Sequence, residues 1–243
     1  MNSDIGCLLL GTTVQFIEKN SFNVRSAIYH LKKDGVGLEF LLFPMIHVGS
    51  QSFYNEVADR LSTCDLILAE GGSSKRARLL TLSYRIVKRI KRMDLVTQGG
   101  LVLSTFKDRI VNSDMTGNAF DERWSSLPVL FRAELFLLIP IYAVYLLLFG
   151  TRETLGENIA LEDLPSEAEI LFQDERFTDL DSLLIDERDR ILISNIRDLN
   201  DANGNRMVGV VYGAMHMRHA INFLLNALNY RVAKAEWVTV FDL

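Results

Sequence analysis

Three side chains able to bind a metal or move a proton, His47, Glu70 and His216, each follow closely on an apolar run: Leu38–Ile46, Asp65–Ala69 and Met207–Tyr212. In open α/β sheets, sites form in the crevice beyond the carboxyl ends of parallel strands, so residues placed this way converge from distant parts of a chain. Two imidazoles and a carboxylate are the ligand set of many catalytic zinc sites and of other metal sites with open positions. There the cation brings the pKa of its bound water towards neutrality. Without a metal, the same trio serves as a general acid–base pair with a carboxylate orienting a histidine. A lone histidine after a strand is more often a turn or core residue with satisfied hydrogen bonds. Two in matched contexts, with a glutamate in a third, favour a shared site.

Lesser candidates carry plainer readings beside the chemical ones. Asp114 follows an expected strand, where an aspartate is usually a cap. Glu187, Arg188 and Arg190 lie on the polar face of an expected helix and read first as surface ion pairs; the alternative is an arginine that steadies an oxyanion or a carboxylate. His219 is either a fourth ligand or a surface residue, Tyr54 and Tyr212 are packing residues, and His30 has no role. The chain has no G-x-S-x-G, no phosphate-binding loop, no dinucleotide fingerprint and no paired C-x-x-C.

The elements that must hold these residues follow from periodicity. Cys7–Glu18 and Ser21–Leu31 alternate as strands, and Asp34-Gly35 is a hairpin signal before Leu38–Ile46, whose nearly continuous apolar character predicts burial on both faces. From Ser50 the period changes to 3.6, with Phe53, Val57, Ala58 and Leu61 on one face and a serine as N-cap. Asp65–Ala69 then completes a βαβ unit with both strands parallel. Lys75–Arg92 predicts an amphipathic basic helix, ordinarily a solvated face and alternatively a contact for a membrane surface. Asp94–Gln98 and Arg109–Asn112 predict short strands, and Thr116–Trp124 a short helix.

Leu135–Phe149 is an uncharged apolar run of fifteen residues within an apolar helical segment 127–150. As a helix it reaches about 22 Å, short of a ~30 Å hydrocarbon core unless residues from Leu127 onward join it. A single span would divide Glu70 from His216, so the expectation is a buried or partner-covered helix or helical hairpin, with an interfacial membrane contact second. Gly156–Asp179 reads as loop and short helices, Asp181–Asn200 as a helix, Met207–Tyr212 as a third buried strand, and Ala220–Leu228 as the helix after it. Tyr230–Leu243 is a strand pair or one long strand. The sum is a mixed α/β fold over a single domain, 1–243, with a mostly parallel or mixed central sheet flanked by helices.

Composition narrows the function classes. A net charge of −5 argues against nucleic acid, because phosphate neutralisation needs a clustered positive surface. Two cysteines, Cys7 and Cys64, make no disulfide framework and no metal spacing, which points to a reducing compartment. The opening MNSDIGCLLLG lacks a basic region, so the expected location is the cytoplasm, with a membrane surface as candidate partner.

The stretch Phe43–Gly71 (apolar strand, histidine, a helix beginning near Phe53-Tyr54, then Asp65-x-x-Leu68-x-Glu70-Gly71) resembles the first signature of the TraB/PrgY family. That family is similar in fold to the Tiki metalloproteases and, more distantly, to the erythromycin-esterase and ChaN-like groups. Gly213-Ala-Met-His216 resembles its second G-x-x-H, while Asn112-Ser-Asp114-Met and Glu187-Arg188-Asp-Arg190 resemble weaker stretches between them. Pro44 stands where the first G-x-x-H has its glycine. The resemblance implies a divalent-metal hydrolase (zinc, manganese or cobalt class) with His47, Glu70 and His216 as ligands, Glu70 also catalytic, and Arg188 assisting. Its substrate would be a peptide or a small-molecule ester or amide. The alternative function is a non-catalytic peptide- or cofactor-binding regulator docked on a membrane surface.

Overall fold

A computed structural model gives the fold of residues 14–71, 74, 82–98, 103–163, 185–202 and 204–243. Strands β1 (Ile17–Lys19), β2 (Asn23–Lys32) and β3 (Leu38–Met45) pair antiparallel in sequence order. The β2–β3 turn falls at the expected Asp34-Gly35, where Gly35 takes φ +71°, a left-handed conformation that glycine adopts without a Cβ clash. The first thirteen residues, which include the start of the expected Cys7–Glu18 strand, lie outside the described residues.

Past His47, the short β4 (Val48–Gly49) leads into α1 (Gln51–Leu61), capped by Ser50, whose Oγ accepts the Phe53 N–H at 3.2 Å. Phe53, Tyr54, Val57 and Leu61 form its buried face. The chain continues through β5 (Leu66–Ala69), α2 (Leu82–Val87), β6 (Val96–Thr97), which pairs with β4, and β7 (Ile110–Asn112). It then runs through α3 (Gly117–Ser126), α4 (Val129–Phe149), α5 (Arg152–Asp163), α6 (Glu187–Asp201), β8 (Arg206–Gly213), α7 (Ala214–Asn222) and β9 (Arg231–Asp242).

The main sheet is mixed, in the order β1-β2-β3-β8-β5-β7 with β9 antiparallel to β2. Its half made of β3, β8, β5 and β7 is wholly parallel, so four strands deliver their carboxyl ends to one edge. The expected β3–α1–β5 unit is present with its strands parallel, but β8 lies between them. Val208, Val210 and Val211 make β8 a strand buried on both faces, and Gly209 lets the end of α1 close onto it. A Cβ on Gly209 would stand 2.8 Å from Leu61 Cδ2 and 3.1 Å from Cys64 Sγ. Gly209→Val is therefore expected to cost about 1–3 kcal/mol by overpacking. Urea unfolding of the variant checks this, and an unchanged midpoint would show that α1 does not sit tightly on β8.

Several local expectations are corrected. The basic run does not continue as one helix to Arg92: α2 ends at Val87, and a turn follows that buries Val87, Ile90 and Met93 at three-residue spacing. Residues 75–81 of that run lie outside the described residues. The apolar segment is one unbroken helix, α4, with Pro140 inside it, and among its side chains only Phe131, Ala143 and Leu146 are buried. Of the stretch expected as loop and short helices from Gly156, the first part belongs to one helix, α5, which starts earlier at Arg152 and buries Leu155 and Ile159, four apart, in the core. Residues 164–184 lie outside the described part. The helix expected from Ala220 begins at Ala214, directly off β8, and β9 is a single long strand. Pro44, though in a central strand, pairs in register with Tyr212, and its carbonyl accepts the Ser26 hydroxyl at 2.7 Å.

Candidate functional site

The parallel half of the sheet places His47 just beyond β3, Glu70 just beyond β5, and Asp114 two residues beyond β7. At the end of β8, Gly213 is followed by α7, which carries His216 in its first turn. Facing this edge, the first turn of α6 presents Arg188 and Asp189. Six chemistry-bearing residues from five separate stretches thus gather at one place, as the strand-end argument predicts.

An ion cluster forms its floor. The Arg188 guanidinium donates from Nε and Nη2 to the two oxygens of Asp114, each at 2.8 Å, and from Nη2 to Glu70 Oε1 in a short contact. This fork is the geometry that makes arginine suited to joining carboxylates. Asp114 Oδ1 also accepts the Met115 N–H at 2.7 Å, and Thr116, not Asp114, caps α3. The other oxygen of Glu70 accepts the Gly213 backbone N–H at 3.0 Å. Burial alone would raise the Glu70 pKa; the positive charge of Arg188 first, then His47 and His216, outweighs it and holds the carboxyl at about 2. Glu70 is therefore an anion at any physiological pH.

A second pair stands beside the first. His216, 2% exposed, places Nδ1 at 2.7 Å from Asp189 Oδ1, and Asp189 is itself buried. The remaining oxygen of Asp189 makes a short contact with Nδ1 of His219, whose side chain is about half exposed. Burial works against charge on Asp189, but hydrogen bonds from both histidines lower its pKa; the same bond raises that of His219. With Nδ1 held by a carboxylate, His216 leaves Nε2 for chemistry, the usual second-partner arrangement of catalytic histidines. Its ring stands edge-on to Tyr212, 5.5 Å between centroids, and the Tyr212 hydroxyl donates to the Ser113 carbonyl, tying β8 to the end of β7. His216 Cδ2 and Glu70 Oε2 flank one point: a Cβ on Gly213 would lie 3.5 and 3.6 Å from them. The two sub-clusters are thus contiguous.

As for the expected ligand set, His47, Glu70 and His216 do come together, in that both imidazoles act electrostatically on the Glu70 carboxylate. Yet both Glu70 oxygens already accept hydrogen bonds, and among the described residues no three His, Cys, Asp or Glu side chains stand as a ligand shell for one ion. The arrangement has the form of a hydrogen-bonded ion cluster. Known proteins add no further constraint. The chain matches no family model, no curated protein and no solved structure. The site therefore rests on its own geometry.

Sequence reasoning missed Asp189, the residue that holds His216. Its only signal was adjacency to Arg188, and a carboxylate in Glu187-Arg188-Asp189-Arg190 reads as one of several surface charges. The surface reading does hold for Glu187, which pairs with Arg123 near solvent, and for the exposed Arg190. Tyr54, taken as packing, is buried and donates its hydroxyl to the Ile46 carbonyl at 2.8 Å, which fixes the chain just before His47.

Proposed function

We propose that the protein is a hydrolase of peptide, ester or amide bonds that works by general acid–base chemistry at the carboxyl edge of its parallel strands. The observation that carries this reading is the buried Asp189–His216 pair set against the Glu70–Arg188–Asp114 cluster. His216 Nε2 takes a proton from water as the water oxygen attacks the carbonyl carbon, and the resulting imidazolium is stabilised through Nδ1–H by Asp189. His47, the other imidazole beside Glu70, returns a proton to the leaving amine or alkoxide. Glu70, ionised throughout, neither donates nor accepts that proton; its charge holds Arg188 in place. The resemblance of Phe43–Gly71 and Gly213–His216 to the TraB/PrgY signatures supports a hydrolytic reading. A divalent metal would supply an activated water at the same imidazoles, and Arg188 would have to release Glu70 to admit it.

A library of ester and peptide substrates, screened with the intact chain and with His216→Ala, tests the proposal alongside metal analysis of the purified protein. The expected result is turnover that falls by about 10²–10⁴-fold in the variant and survives chelators. Turnover that is lost on chelation and restored by stoichiometric metal would replace the acid–base reading with a metal-centred one. No turnover above the variant's level with any substrate would remove the enzymatic reading.

A further inference from the structure

Outside the site, the largest unexplained feature is helix α4. Over an 18-residue window its mean hydropathy is 1.9, and only 17% of that window is buried. Leu137, Leu138, Ile141, Val144, Leu147 and Leu148 all stand exposed. A contiguous apolar face of this size on a protein surface marks an interaction site, since isolated exposed apolar residues need no partner but a whole helix face does.

Three observations point to the occupant. The face is apolar along its length, with Phe136, Tyr142, Tyr145 and Phe149 exposed among its aliphatic residues and no charged residue from Leu135 to Phe149. Its carboxyl end carries a basic collar: Arg85, Lys88, Arg89, Lys91 and Arg92 are exposed, and no acidic residue lies between Leu82 and Met93. The collar is bolted to the helix end, because the Arg92 guanidinium donates to the carbonyls of Leu148 at 3.3 Å and Gly150 at 2.8 Å. In a chain of net charge −5, an apolar helix with cations fixed at its rim matches an anionic lipid leaflet, where aliphatic side chains enter the acyl boundary and cations meet headgroups.

The packing also sets the orientation. Near the amino end of α4, Phe131 is buried with Met115, Phe120, Trp124 and Leu127; near its carboxyl end Ala143 and Leu146 are buried and Arg92 is bonded. The helix lies along the body at both ends, so turning it across a bilayer would carry that body into hydrocarbon. We propose that α4 and the collar form a membrane-surface seat, in which the helix lies in the plane of an anionic leaflet.

Flotation of the full chain with vesicles of phosphatidylcholine, alone or with phosphatidylserine, reads this out. Binding is expected with the anionic vesicles. Leu137→Glu, Ile141→Glu and Leu148→Glu together, all on the outward face, are expected to weaken it tenfold or more. Lys88→Glu with Arg89→Glu should weaken it at least about fivefold per cation removed, and added salt should shrink that difference. Circular dichroism and unfolding midpoints confirm that the variants are folded, since none of these side chains is buried. Nitroxide labels at Leu130→Cys and Leu148→Cys, in a Cys7→Ser background, are expected at the same shallow depth. The proposal is overturned if the intact chain stays with the soluble fraction at low salt, if the labels report opposite leaflets, or if the apolar face is instead consumed in a dimer that the triple variant dissolves.

Discussion

Arg188→Ala is expected to destabilise the protein at pH 7 by about 3–5 kcal/mol, the range for removing one partner of a buried ion cluster and leaving its counter-charges unpaired. Asp114, with a side chain 1% exposed, is the carboxylate most exposed to that penalty; Glu70, at 23%, regains some hydration and pulls the effect towards the lower end. The pH dependence gives the sharper test. In the intact protein the Glu70 pKa is held at about 2 against an ordinary 4.5, so its contribution to stability is fully present above the ordinary value and is lost as the pH falls through about 2. Without Arg188 the largest favourable influence on the Glu70 anion is gone, its pKa rises, and mild acid relieves the repulsion between the two carboxylates. Urea midpoints at pH 7 and pH 4 should therefore converge between intact protein and variant as the pH falls. Parallel midpoints, with a constant gap, would mean that Arg188 contributes packing alone.

Asp189→Asn should leave the fold in place and take the turnover of any substrate found for the protein down by about 10²–10⁴-fold, mainly in kcat. The amide can still hydrogen-bond to His216, but it has no negative charge to stabilise an imidazolium, and its NH₂ group can hold the ring in the wrong tautomer. Asp189 acts through His216 and is a positioning residue, so an activity loss alone would not separate this from a general disturbance. Ring-nitrogen NMR shifts of His216 supply the separation: the proton should move from Nδ1 in the intact protein towards Nε2 in the variant. Unchanged shifts with lost activity would make the role structural. His219→Ala, which removes only the outer partner of Asp189, should have a much smaller effect.

Much of this architecture is written in short-range patterns. The runs ending near His47, Glu70 and His216 are apolar because they are covered on both faces, and that coverage is a local property of composition. The Ser50 cap, the Asp34-Gly35 turn and the Thr116–Trp124 helix are local in the same sense. What escaped is what depends on distant partners. Nothing in β5 or β8 says that β8 lies between β3 and β5. Asp189 differs from the neighbouring surface charges only because α7 brings His216 and His219 against it. Leu155 and Ile159 stand in no pattern that the sequence reading picked out, yet both are buried in the core. The apolar run of α4 fits either burial or exposure equally well, and the decision lies in which neighbours Phe131, Ala143 and Leu146 find.

The placement of β8 has a consequence for how the protein is made. A ribosome releases β3, α1, β5 and β7 long before β8, yet β3 and β5 are not neighbours in the finished sheet, and each lacks its pairing edge until residues 206–213 emerge. Until α6 emerges, shortly before β8, Glu70 and Asp114 have no Arg188 to neutralise them. The nascent chain therefore presents two unfilled strand edges for most of its synthesis, and two carboxylates without their cation from Asp114 until Arg188. The same long separation in sequence between β8 and its partners β3 and β5 slows folding and invites chaperone binding. A chain stopped before β8 should be an aggregating fragment, with neither sheet nor site.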